Sequence, residues 1–245
     1  MRQQEKQAIT ILLTTLCSLV CIFSCIISSI STEEKVQSSS NNPIHFFHSE
    51  SYKSLPKKDR YFFRVAFGSE HGSRDQRIKK WQENIRLKLD KNISLKDKFI
   101  VQKVVYELNQ LLNHAIRIEI TNSNNYNAEL IITDNKLFKR YIAHSNPKAN
   151  GYVSVWYNHK NIINKSKILI SSQLGRQKKA HVIREELTQS LGILKDSYMY
   201  KNSIFYQGHS KRTRFSKEDQ KVIKTLYHPE ILPGMTREDA LHAIL

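Results

Sequence analysis

The chain has 245 residues and carries 39 Lys and Arg against 22 Asp and Glu, a formal net charge of +17. That length suits one domain of moderate size with appendages. The charge disfavours cationic partners and favours anions: nucleic acid, anionic headgroups, acidic proteins or envelope polymers. All three cysteines lie within residues 17–25, so the rest of the chain has no disulfide, no thiolate metal site and no cysteine nucleophile.

Residues 8–30, AITILLTTLCSLVCIFSCIISSI, carry no charge over 23 positions, long enough to span a bilayer as a helix. Arg2 and Lys6 precede them, so the short basic end is expected in the cytoplasm and the remainder outside it. An inner-membrane anchor with a periplasmic domain is the expectation. A cleaved signal peptide giving a secreted protein, or a lipoprotein acylated at Cys25 after Ile22-Phe23-Ser24, are the alternatives. Residues 31–58, rich in Ser, Asn and charge, read as a flexible linker.

Periodic elements begin near residue 59 and run to 232, leaving 233–245 as a C-terminal tail. RYFFRVAFG and ENIRLKL read as strands, and residues 97–112, apolar at 100, 101, 104, 105, 108, 111 and 112, as a helix with one buried stripe. AIRIEI (115–120), AELIIT (128–133), GYVSVWY (151–157) and ILIS (168–171) are strand candidates, with an irregular stretch before GYVSVWY. Helices follow from Gln177 to Leu191 and from Phe215 to Tyr227, the latter with Ser216 as N-cap and Asp219 at N3. The order β-β-α-β-β-β-β-α-α predicts an α/β (α+β) fold, a mixed twisted sheet packed on two or three helices. Ile183, Leu187, Leu191 and Leu194 form the buried stripe of the first of these two helices, which Gly192 ends.

Within that helix, Glu185, Glu186, Gln189 and Gly192 occupy the places of H, E, H and G in the zinc-peptidase string H-E-x-x-H-x-x-G. ELIIT, GYVSVWY, ILIS and VIREELTQSLGI follow one another in the order of the metzincin clan of zinc peptidases. Lys195-Asp196-Ser197 stands at the third histidine and its neighbour. Ser203-Ile204-Phe205-Tyr206 resembles the Met-turn, and FSKEDQKVIKTLY the closing helix of matrix metalloproteases. More narrowly, EELTQSLG followed by DS and SIFY is similar to a bacterial family of unknown function, number 2927, whose members are often described as putative lipoproteins.

The resemblance implies a metzincin-like domain whose former metal-ligand positions hold Glu185, Gln189 and Lys195. A catalytic zinc needs three protein ligands and an open position. A neutral amide is a poor ligand and a lysine repels the ion, so zinc is not expected. Glu186 stands at the general-base position but has no metal-bound water to activate. Glu185, Glu186, Gln189 and Asp196 form an oxygen set that would suit Mg²⁺, Ca²⁺ or Mn²⁺, an ion not favoured here. The bland reading of Glu185–Gln189 is a hydrogen-bonded seam, and of His181 and His209 exposure to solvent. Asp196, Phe205, Tyr206 and His209 are expected around the cleft.

In active metzincins the substrate lies extended beside an edge strand, and GYVSVWY stands in its place. Gly151, Tyr152, Val153 and Ser154 are therefore the expected peptide-binding residues, since strand addition needs only exposed backbone N–H and C=O groups. Tyr152 and Trp156 share a face with Ser154 and could flank a peptide. The function expected is a membrane-associated, exported binding module for a protein, peptide or acidic envelope polymer. One alternative is an atypical envelope hydrolase using Glu186. Another is a tethered protein for nucleic acid or anionic polymer, for which KKW (79–81), GRQKK (175–179) and HSKRTR (209–214) supply basic clusters.

Overall fold

The computed structural model describes residues 43–68, 76–142 and 149–245. The expected membrane segment at 8–30 lies outside them, and no helix of the described residues is long and apolar enough to cross a membrane. Three short helices come first: α1 (Pro43–His48), α2 (Glu50–Ser54) and α3 (Lys57–Val65). Strands β1 (Lys80–Trp81) and β2 (Ile85–Leu89) lead to helix α4 (Leu95–Leu112), then to β3 (Ile118–Thr121), β4 (Ala128–Thr133) and helix α5 (Asn135–Tyr141). Strands β5 (Gly151–Tyr157) and β6 (Ile162–Ser171) precede helices α6 (Arg176–Gln189), α7 (Lys217–Leu226) and α8 (Arg237–Ile244).

The sheet is mixed. β2 pairs in parallel with β3 and β4, and β6 pairs in parallel with β4 and β1. β5 alone runs antiparallel, against β6, with Gly151 opposite Ile170 and Trp156 opposite Lys165. Among the described residues β5 pairs with no other strand, so it forms an edge. α4 and α6 pack together, and α6 also lies against β5 and β6. Val101, Val104, Val105, Leu108 and Leu112 form the buried stripe of α4, held in register by the Ser94 hydroxyl, which accepts from Asp97 N–H, and by Asn113 in the left-handed region at its end. Ala128, Leu130, Ile168 and Ile170 face the same main core as Ile183 and Leu187.

Several expectations change. Residues 60–68 are not a strand: α3 starts after Pro56 and buries Tyr61, Phe62, Phe63 and Val65. A short, mostly apolar run reads alike as strand or helix; here Pro56 keeps Leu55 extended and so bounds the helix, and Asp59 in the first turn suits the helix N-terminus. The expected linker does not reach residue 58, because Phe46, Tyr52 and Leu55 are buried in the main core and residues 46–245 form one compact unit. Nor is 233–245 a loose tail. Met235 O accepts from Ile78 N–H, Thr236 and Asp239 form a capping box, and Ala240 and Leu241 are buried. The stretch after β4 contains α5, capped by the Asp134 carboxylate. Its Phe138 joins Ile142 and Leu169 in a small second cluster, with Tyr152 at the margin. β6 is longer than ILIS, ten residues from Ile162.

Candidate functional site

Helix α6 crosses beneath the β5 edge, and its four polar positions divide between three surroundings. Its C-terminal end is fixed first. The Trp81 indole N–H donates to Ser190 O at 2.9 Å and the Tyr227 hydroxyl to Leu191 O at 2.9 Å, so two carbonyls that a helix end leaves unpaired are satisfied from the core. Gly192 has φ +114°, and a Cβ there would meet Lys79 O at 1.9 Å. Only glycine meets both demands. The chain turns so sharply that the helical period fails beyond it: Ile193 is fully buried and the expected Leu194 only partly.

Gln189 is buried, and its amide N–H donates to Asp196 Oδ1 at 3.0 Å. This bond ties the helix to the segment that follows the turn, where Ser197 N–H donates to Phe205 O and Gln207 N–H to Ser197 O. Phe205 is fully buried, Tyr206 packs edge-on to Tyr198 at 6.0 Å, and His209 is exposed as expected. Under this turn lies a relay that the sequence reading missed. The Tyr61 hydroxyl donates to Ser203 Oγ at 2.7 Å, and Ser203 Oγ donates to Asp219 Oδ1 at 2.5 Å. Asp219 Oδ2 accepts from Ile204 N–H and Ser216 N–H. Burial raises the Asp219 carboxyl above its usual range, while these donors hold it back. The capping pair Ser216–Asp219 was legible in the sequence. That its acid also carries the turn was not.

Glu186 points another way. It is 7% exposed, and a Cβ on Gly151 would fall 2.3 Å from its Oε1 and 2.5 Å from Val182 Cγ1. The absence of a side chain at Gly151 thus lets the first residue of β5 settle onto the Glu186 carboxylate. Glu185 faces His181, with Nε2 and Oε2 3.4 Å apart. His181 is not at the surface as expected but 1% exposed, because the loop before α7 folds over it and Arg212 O accepts from its Nδ1 at 2.9 Å. A carbonyl can only accept, so Nδ1 carries the proton. Burial lowers the His181 pKa to about 4, helped by the Lys178 and Arg184 cations and opposed by the Arg212 carbonyl. The imidazole is therefore neutral at pH 7 and turns its Nε2 lone pair towards Glu185.

Lys195 is not gathered with Glu185 and Gln189. Its backbone N–H donates to Val65 O, the residue as a whole is exposed, and partial desolvation of its amine, then the Arg237 and Arg64 cations, lower its pKa. Glu185, Gln189 and Lys195, expected at former metal-ligand positions, thus face three directions. Among the described residues no group of three or more His, Cys, Asp or Glu side chains is placed to hold a metal ion. Among the described residues, an amide at Gln189 and a cation at Lys195 do not fit a three-ligand zinc centre with Glu185, and no step through a metal follows from them.

The edge above α6 has a definite polarity. Ser171 N–H donates to Asn150 O, so Asn150 and Ser171 form a hydrogen-bonded pair in register with the ladder. In an antiparallel pair only alternate residues turn their backbone groups to the partner. Tyr152, Ser154 and Trp156 therefore bond to β6, while Gly151, Val153 and Val155 turn N–H and C=O outward. The side chains of Val153 and Val155 pack on the main core, and Trp156 is 46% exposed on the opposite face. The basic clusters GRQKK and HSKRTR also meet, since Lys178 Nζ donates to Ser210 O at 3.3 Å.

The family model described as protein of unknown function (DUF2927) matches residues 57–245, and the chain belongs to that family. No curated protein matches it. Two solved structures of myroilysin are similar. One has a TM-score of 0.40 at 10% identity, covering 61% of this chain and 82% of that one. The other has a TM-score of 0.38 at 12% identity, covering 60% and 85%.

Proposed function

We propose that residues 46–245 form a peptide-binding module on a metzincin-like framework, held outside the cytoplasm by residues 8–30, in which a partner's extended segment adds as a strand to β5. The observation that carries the reading is the outward-turned backbone of Gly151, Val153 and Val155 on an edge paired only with β6 among the described residues. Strand addition draws its affinity from main-chain hydrogen bonds and its selectivity from alternate side-chain positions. It needs no metal, which agrees with the glutamate, glutamine and lysine at the former-ligand positions. In this reading the zinc ligands have been lost and the edge that once held substrate is kept. Tyr152, Ser154 and Trp156 flank the added strand on one face.

Two proline variants of the full-length protein in neutral detergent test this, using peptides selected from a random library on the parent. Val153→Pro removes an outward N–H, a position an edge strand tolerates, and is expected to abolish peptide binding in a protein that still folds. Ser154→Pro removes a ladder bond and is expected to lower the melting temperature. Undiminished binding to folded Val153→Pro would place the docking site elsewhere. Cleavage of the selected peptides that disappears in Glu186→Gln would replace binding with hydrolysis.

A further inference from the structure

We infer that a second site, beyond the β5 edge, lies between the start of α6 and the loop entering α7, and that it binds a phosphoryl group carrying two or more negative charges. The groove there has a volume of about 350 Å³, and its lining includes Gln177, Lys211, Arg212, Arg214 and Ser216. That is the size of a small-ligand cleft. Three cations fall within four consecutive residues, and none of the three makes an ion pair among the described residues. Among the described residues no acid lines the groove. Two carboxylates bond to lining residues from behind: Glu218 accepts from Asn202 Nδ2 at 3.2 Å, its pKa lowered first by its own backbone N–H, and the buried Asp219 accepts from Ser216 N–H at 2.8 Å.

The loop that carries these cations is pinned to the core. Arg212 O holds the buried His181 ring, Arg212 N–H donates to Ser210 Oγ at 3.3 Å, and Lys178 Nζ reaches Ser210 O. Phe215, at the loop's end, lies under the Arg184 guanidinium at 4.4 Å. Like charges gathered on a fixed frame repel one another, and an anion between them relieves that repulsion without first ordering the chain. A single carboxylate neutralises one of the three. A phosphate monoester carries about −1.5 to −2 at neutral pH with three acceptor oxygens, and the two arginine forks match such oxygens in pairs. A nucleic-acid strand would instead call for a basic track with aromatic side chains spaced along it for stacking. Here one concave groove holds the cations.

The test titrates full-length protein in neutral detergent with pyrophosphate, read by calorimetry. Saturable binding is expected, weakened roughly tenfold by Arg212→Gln and again by Arg214→Gln. The Lys136→Gln/Lys139→Gln pair on α5 should bind as the parent does. Vesicles containing phosphatidic acid distinguish the source. With the chain reconstituted in phosphatidylcholine vesicles, phosphatidic acid added to the bilayer that competes with pyrophosphate assigns the group to a lipid headgroup, and pyrophosphate binding unchanged by phosphatidic acid assigns it to a soluble compound. Absence of saturable binding overturns the inference, as does equal weakening in the α5 pair. An oligonucleotide held more tightly than pyrophosphate, with no dependence on Arg212 or Arg214, also overturns it.

Discussion

Two stretches less than twenty residues apart after helix α6 are built to opposite rules. At Ser203–Tyr206 an acid is taken fully into the core and its oxygens are met by a hydroxyl and two backbone N–H groups, with Tyr61 completing the chain. At Lys211–Arg214 three cations stand exposed around a groove that no acid of the described residues lines. The first arrangement stabilises the fold, because a buried polar group is tolerated only when satisfied. The second does little for the fold. The difference teaches where to look for binding: in charge that the protein leaves uncompensated, not in charge it has buried and paired.

The largest effect should come from breaking the buried side. Asp219→Ala strands the Ser203 hydroxyl and the Ile204 and Ser216 N–H groups, at a cost of roughly 4 kcal/mol. Chemical denaturation at neutral pH measures it, and a loss below about 1 kcal/mol would mean that water replaces the carboxylate. A second test concerns His181, which the Arg212 carbonyl holds beneath the exposed loop. Its folded pKa of about 4 lies below the ordinary 6.5. As pH falls through this window the unfolded chain takes up the proton first, so stability is lost on acidification, by up to roughly 3 kcal/mol between pH 6.5 and 4. His181→Gln should flatten that part of the stability profile, and an equal slope in the variant would remove His181 as its source. The smallest effect should come from the exposed side. Arg212→Gln with Arg214→Gln should leave stability within about 0.5 kcal/mol of the parent at neutral pH, or raise it slightly as repulsion is relieved. A large loss would show that these cations hold the loop instead of serving a ligand.

Much of this architecture is determined by the sequence alone. The stripe Val101–Leu112, the strands AELIIT and GYVSVWY, and the helix across Glu185–Gln189 follow from local periodicity, which records which face is buried whatever lies against it. The Ser216–Asp219 cap is equally local, as a pairing three residues apart must be. Tertiary structure decided the rest. Whether RYFFRVAF became strand or helix depended on its surroundings, since a run this short with six apolar residues between and after two arginines suits either. His181 reads as one more polar residue on a helix until the 209–214 loop closes over it, and Lys195 reads as a ligand position until the turn at Gly192 sends it towards Arg64 and Arg237. The direction of a side chain after a left-handed glycine, and the partner of a residue 142 positions away as in Tyr61–Ser203, are set by long-range packing that no period of two or 3.6 encodes.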